Sequence, residues 1–152
     1  MLKTKCALIL CAVLLLLTGC AAKDEDSLAD YDDFADYSVT EFPPVEFLSA
    51  ETEFAEYDGN VEKIYVILTN AIDEDFHFDY WWRLEKEVDG EWKAIRFIKN
   101  REFDLLDRSI KRGTITIACV FKEYVKQPLL PGHYRIWVGG DDERVPAEFT
   151  IK

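Results

Sequence analysis

Residues 76–97 read FHFDYWWRLEKEVDGEWKAIRF. Phe76, Phe78, Tyr80, Trp82 and Leu84 fall on alternate positions, which is the period of a strand with one apolar face. Asp89-Gly90 follows, and because both positions tolerate positive φ the pair predicts a two-residue hairpin turn. The chain returns with Trp92, Ala94 and Arg96 on one face. The same period recurs on both sides of this hairpin. Upstream, residues 61–70 read VEKIYVILTN, with Ile64, Val66 and Leu68 on one face and Tyr65, Ile67 and Thr69 on the other. Downstream, residues 114–121 are β-branched and apolar, Pro131-Gly132 marks a turn, 133–138 form a strand, and 145–151 close the chain. With a short extended piece at 45–49, this makes about seven strands in roughly 110 residues, and predicts an all-β antiparallel sandwich. The stretch 100–112 is ambiguous between a helical turn and a long strand connection.

The N-terminus has a different character. Lys3 and Lys5 precede 12 apolar residues, CALILCAVLLLL. As a helix such a run spans only about 18 Å, against the ~20 residues needed to cross a bilayer. It therefore predicts the apolar region of an export signal. The run ends in Leu17-Thr18-Gly19-Cys20. These four residues resemble the lipobox of bacterial lipoproteins. The resemblance implies cleavage between Gly19 and Cys20, a signal peptide over 1–19, and thioether lipidation of Cys20. Two or three acyl chains anchor a protein stably where one does not. The expected location is the extracytoplasmic face of the cell membrane, held by lipid.

Cleavage removes Cys6 and Cys11 and lipidation uses Cys20, so Cys119 alone remains as a thiol. The mature domain then has no disulfide and depends on its core. Cys119 lies in the strand pattern TITIACVF and reads as a small buried hydrophobe. The formal charge is -12, from 18 Lys and Arg against 30 Asp and Glu. That balance argues against nucleic acid, which requires clustered cations. Residues 21–41 hold eight acids and one Lys, predicting a self-repelling, solvated spacer over 20–44. Tyr31, Phe34 and Tyr37 recur every third residue within it, either as incidental rings on a tether or as a short docking motif or an arm that packs on the domain. Pro43-Pro44 marks the boundary with the domain at 45–152.

Four segments carry a second resemblance: Trp82-Arg83-Leu84-Glu85; Asp89-Gly90-Glu91-Trp92; Leu130-Pro131-Gly132-His133-Tyr134-Arg135-Ile136; and Glu148-Phe149-Thr150-Ile151. Together they resemble the bacterial immunoglobulin-like domains of small lipoproteins and exported proteins, mainly Gram-positive. The resemblance covers roughly residues 45–152 and implies an immunoglobulin-like β-sandwich. Within it Trp82 and Leu84 are expected in the core. Trp92 is expected across the hairpin, and Tyr134 at a corner tied by its hydroxyl. These are scaffold roles, and a scaffold does not name a function.

Catalytic constellations are absent from the pattern. No HExxH, CxxC or Gly-rich phosphate loop occurs, so no metal, nucleotide or other cofactor is expected. His77 and His133 lie in different strands, and Ser49 and Ser109 are the serines outside the spacer, with no nucleophile elbow. Acid clusters at 73–75 and 141–143 lack EF-hand spacing and read mainly as solvated turns, with calcium as the sharper alternative. Trp81 is the departure from a plain scaffold. Alternation places it opposite Trp82, with His77, Asp79 and Arg83, so these four form the candidate binding surface. The expected activity is a non-catalytic binding or adhesion module with a protein or glycan partner in the envelope. The rival readings are a proteinase inhibitor offering residues 123–130 as a rigid loop, and an envelope enzyme.

Overall fold

The computed structural model describes residues 34–35, 41–99, 108–140 and 142–152. Its strands in chain order are β1 (Leu48–Thr52), β2 (Glu56–Tyr57), β3 (Lys63–Asn70), β4 (Phe76–Phe78), β5 (Arg83–Val88) and β6 (Glu91–Ala94). After these come β7 (Arg108–Ile110), β8 (Gly113–Val120), a helical turn α1 (Phe121–Tyr124), β9 (Gly132–Gly140) and β10 (Glu143–Ile151). One sheet has the order β1-β3-β8, a second the order β2-β10-β9-β5-β6, and β4 pairs with β7 alone. The pairings are antiparallel except β2 with β10. The expected all-β immunoglobulin-like sandwich is the fold found, with more and shorter strands than the pattern suggested.

The core lies between the two large sheets. Ile64, Val66 and Leu68 of β3 and Ile117 and Cys119 of β8 face inward from one side. Leu84, Tyr134, Ile136, Val138, Ala147, Phe149 and Ile151 face inward from the other. Trp82 is fully buried between Phe97, 4.8 Å away between ring centroids, and Phe121 at 5.5 Å. The hairpin turn forms as expected, with Asp89 at φ 55° and Gly90 at φ 80°. Tyr134 ties the corner before β9, its hydroxyl donating to the Leu130 carbonyl at 2.7 Å.

Two expectations need correction. The strand expected over 76–87 is broken at Asp79. The Asp79 carboxylate accepts the Trp81 amide at 2.9 Å, a local side-chain bond that competes with the sheet ladder. The chain thereby leaves β4, which pairs with β7, and enters β5, which pairs with β9. At this crossing a Cβ on Gly140 would overlap the His77 carbonyl oxygen, so only glycine fits. Second, residues 123–130 do not project as a loop. Val125 and Leu129 are buried, and the Leu129 amide donates to the Gly59 carbonyl at 2.9 Å. Of the readings open for 20–44, the arm that packs on the domain fits Phe34, Glu41 and Phe42, which lie against it, while Tyr31 and Tyr37 fall outside the described residues. Of the ambiguous stretch, 108–110 is β7, while 100–107 falls outside the described residues.

Candidate functional site

Period two governs the outer face of the five-stranded sheet as firmly as the inner one. With Leu84 inward, Arg83, Glu85 and Glu87 of β5 point outward, and Glu85 stands opposite Arg135 of β9 and Ala94 of β6. His133, Arg135 and Trp137 alternate on β9 in the same sense. The resulting face is charged yet largely closed to water. Glu85 is fully buried, and Arg83, Arg135, Trp137 and Arg144 are each buried too.

Glu85 organises this face. One carboxylate oxygen lies 2.5 Å from Arg83 Nε. The other accepts from Arg135 Nε at 2.5 Å and from the Trp137 indole at 2.9 Å. Burying a carboxylate is costly unless it is paired, and two guanidiniums and an indole N–H surround this one. Beyond it the guanidiniums alternate with rings. Arg144 lies 4.2 Å from the Trp81 centroid and Arg83 lies 5.3 Å from Phe42. Arg135 sits 4.7 Å from Trp137 and 4.2 Å from Trp92. Each stacked guanidinium keeps its in-plane N–H groups for carboxylates, so one residue satisfies both partners. Arg144 uses them on Asp79, at 3.0 Å. His133 continues the row, with Nδ1 2.9 Å from Glu87, Nε2 3.2 Å from Glu148 and its ring 5.2 Å from Trp92.

The cover comes from the segment before Pro43. Glu41 pairs with Arg135 at 2.6 Å, and the Phe42 ring packs 5.1 Å from Trp137. Further up the chain, Phe34 bridges Ile95 just beyond β6, and the Ala35 amide donates to the Ala94 carbonyl at 2.9 Å.

The four residues expected to form one outward plate are therefore divided. Asp79 and Trp81 are half-buried and engaged by Arg144. Arg83 is buried beneath Phe42 beside Glu85, which corrects its expected exposure. Its direction follows the alternation, but the face it points to is covered. His77 is exposed and faces elsewhere, into a groove of ≈ 490 Å³. Phe47, Ile72 and Phe76 floor that groove, and Glu74, Asp75, Asp142 and Glu143 rim it. The two acid turns thus meet at one place, although among the described residues no three His, Cys, Asp or Glu are grouped to hold a metal ion. Asp73 is turned away onto Arg112, at 2.8 Å. Gly19 and Cys20 lie outside the described residues. Sequence reading passed over Glu85, Arg135, Trp137 and Arg144, although the alternation of HYRIWV already placed two of them outward.

A sandwich with a hairpin at Asp89-Gly90, an inward Trp82 and a tyrosine corner at Tyr134 can be set against known families. The model of a bacterial Ig-like domain matches residues 46–150. The chain belongs to that family. No curated protein matches. Among solved structures the Ig-like chain is similar to a β-glucosidase, EmGH1, from Erythrobacter marinus, at 12% identity and TM-score 0.42, over 80% of this chain and 19% of that one. It is also similar to a β-glucosidase from Listeria innocua, at 13% identity and TM-score 0.36, over 68% of this chain and 16% of that one. The chain spans less than a fifth of the length of either enzyme.

Proposed function

We propose that this chain is a lipid-anchored bacterial lipoprotein, of the Gram-positive type, whose Ig-like domain serves as a non-catalytic binding or adhesion module outside the cytoplasm. The observation that carries the anchoring is the lipobox Leu17-Thr18-Gly19-Cys20 directly after a 12-residue apolar run. The observation that supports the binding role is where the family motif residues are spent. Trp82 is core, Asp89-Gly90 is a turn, Tyr134 is a corner, and Glu85 and Arg135 neutralise each other in a buried lattice. No group among these is left poised to attack, protonate or polarise a substrate. The partner in the envelope is a protein or a glycan.

This reading also bounds geometry. With Cys20 in the membrane and Phe34 at the sheet edge, 13 residues lie between them. At full extension they reach about 45 Å, so the domain stays close to the bilayer. Fractionation tests the anchor: Cys20→Ala is expected to shift the protein from the membrane to the soluble fraction. A wild-type protein that is already soluble and unmodified by intact mass defeats the proposal. Crosslinking in cells followed by mass spectrometry identifies the partner.

A further inference from the structure

The segment before Pro43 meets the sheet at two described places, and at both an aromatic ring lies near a cation. Glu41-Phe42 sets its carboxylate on Arg135 and its ring within 5.3 Å of Arg83 and 5.9 Å of Arg144. Phe34 sets its ring 5.8 Å from Lys93, and its carbonyl accepts from Arg96 at 3.1 Å. In sequence Phe34 follows Asp33, and the segment before Pro43 holds two more acidic–aromatic pairs, Asp30-Tyr31 and Asp36-Tyr37. Against Phe34, Glu41 and Phe42, a chain of net charge -12 sets five cations: Arg83, Arg135 and Arg144 on the outer face, where they also pair with Glu85 and Asp79, and Lys93 and Arg96 at the β6 edge. The complementarity is ring to cation at both places and carboxylate to guanidinium at Arg135, with backbone pairing at the β6 edge. The hold is light, since the Glu41 side chain is 61% exposed and exposed ion pairs are weak.

We propose that this face is a docking surface for an extended acidic–aromatic segment of a partner protein, and that the segment carrying Phe34, Glu41 and Phe42 is its resident occupant, displaced when the partner binds. The inference rests on the reading of the domain as a binding module and names the kind of partner. A resident occupant lowers the apparent affinity for a partner by the fraction of time the face is open. Weakening the resident should therefore tighten binding of a competitor.

A fluorescent peptide with the sequence of residues 28–44, titrated against the full chain in mild detergent, makes the test. Phe34→Ala/Glu41→Ala/Phe42→Ala is expected to bind the peptide about 10-fold tighter than wild type. Adding Arg96→Glu should remove most of that gain, and a peptide with its acids changed to Asn and Gln should not bind. Should the triple variant fail to fold, Phe34→Ala alone is expected to gain about threefold. Equal affinity for wild type and variant, or binding that survives neutralising the peptide, overturns the proposal. A mixed dimer of wild type with the triple variant, formed without peptide, assigns the occupant to a second copy and overturns a separate partner. Membrane fractionation and crosslinking do not depend on this peptide, so failure here with those results intact removes the docking face and leaves the module.

Discussion

The two large sheets turn opposite characters outward. The outer face of β2-β10-β9-β5-β6 is a lattice of arginines, acids and indoles, buried beneath Phe42 and Glu41. The outer face of β1-β3-β8 carries Tyr65, Ile67 and Thr69 of β3 opposite Ala118, Thr116 and Thr114 of β8. That second face is open, with Tyr65 39% exposed and Thr114, Thr116 and Ala118 exposed. Its charged members are Lys63 and Glu51. Water tolerates threonine and isolated apolar groups well, so an uncovered face of this kind carries no burden. The charged face is different, because its Arg–Glu lattice was taken out of water and each ion there depends on the others. Alternation in sequence tells which way a side chain points. It does not tell whether that side is wet.

The largest effect expected from this contrast is at Glu85. Glu85→Ala leaves Arg83 and Arg135 facing each other without their shared carboxylate. Removing one member of a buried ionic group costs about 3–5 kcal/mol. That would equal the ~3–5 kcal/mol expected for Trp82→Ala in the core, and it is a large share of a typical ~5–15 kcal/mol total. Urea unfolding of both variants is the measurement. A Glu85→Ala loss below about 1 kcal/mol would mean that water reaches the lattice and that the two outer faces are alike.

These two residues also mark where sequence was sufficient. Trp82 could be placed inward because Phe76, Phe78, Leu84 and the turn at Asp89-Gly90 all agree on one register, and each is a local signal. Tyr134 could be placed at its corner because Pro131-Gly132 sets the turn three residues before it. Glu85 could be placed outward by the same register, yet its burial could not be read. The cover depends on Glu41 reaching Arg135, 94 residues away, from a segment whose acidic composition reads as solvated. The break at Asp79 was equally hidden, because an Asp in an alternating run shows no sign of which amide it will accept. Trp81 was the visible clue to the outer face, and it led to Arg83 but not to Arg144, which arrives from the far edge of β10.

A smaller effect is expected when the cover itself is thinned. Phe42→Ala removes a half-buried ring from Trp137, Arg83 and Arg144 but leaves their pairing to Glu85 and Asp79 in place. The loss should be about 1–2 kcal/mol, within the common range for a single substitution. Faster hydrogen exchange at the Ala35 amide should accompany it if the two ends of the segment hold together. Stability unchanged to within a few tenths of a kcal/mol would show that Phe42 rests on the lattice without closing it.

Smaller again is Trp81→Ala. The indole is half-buried and stacks on Arg144, which retains Asp79 as its ionic partner. A cation–π contact at a partly exposed site contributes about 0.5–1 kcal/mol. A cost near 3 kcal/mol would make Trp81 part of the cover and extend the sealed region to the strand break. Thermal unfolding distinguishes the two.

The smallest effect belongs to the open face, and it completes the comparison. Thr116 lies mid-strand on β8, directly opposite Ile67, with its side chain in water. Thr116→Ala removes a β-branched side chain from an exposed strand position, which costs a fraction of the ~1 kcal/mol that such scales span. No ion loses a partner and no ring is uncovered. The expected change is within about 0.5 kcal/mol, the ordinary range for surface substitutions. It should also be insensitive to salt, because the site holds no charge to screen. A loss of 2 kcal/mol or more at Thr116 would require that this face, like the other, is covered in the folded protein, and the difference between the two sheets would then lie in what covers them rather than in whether they are covered.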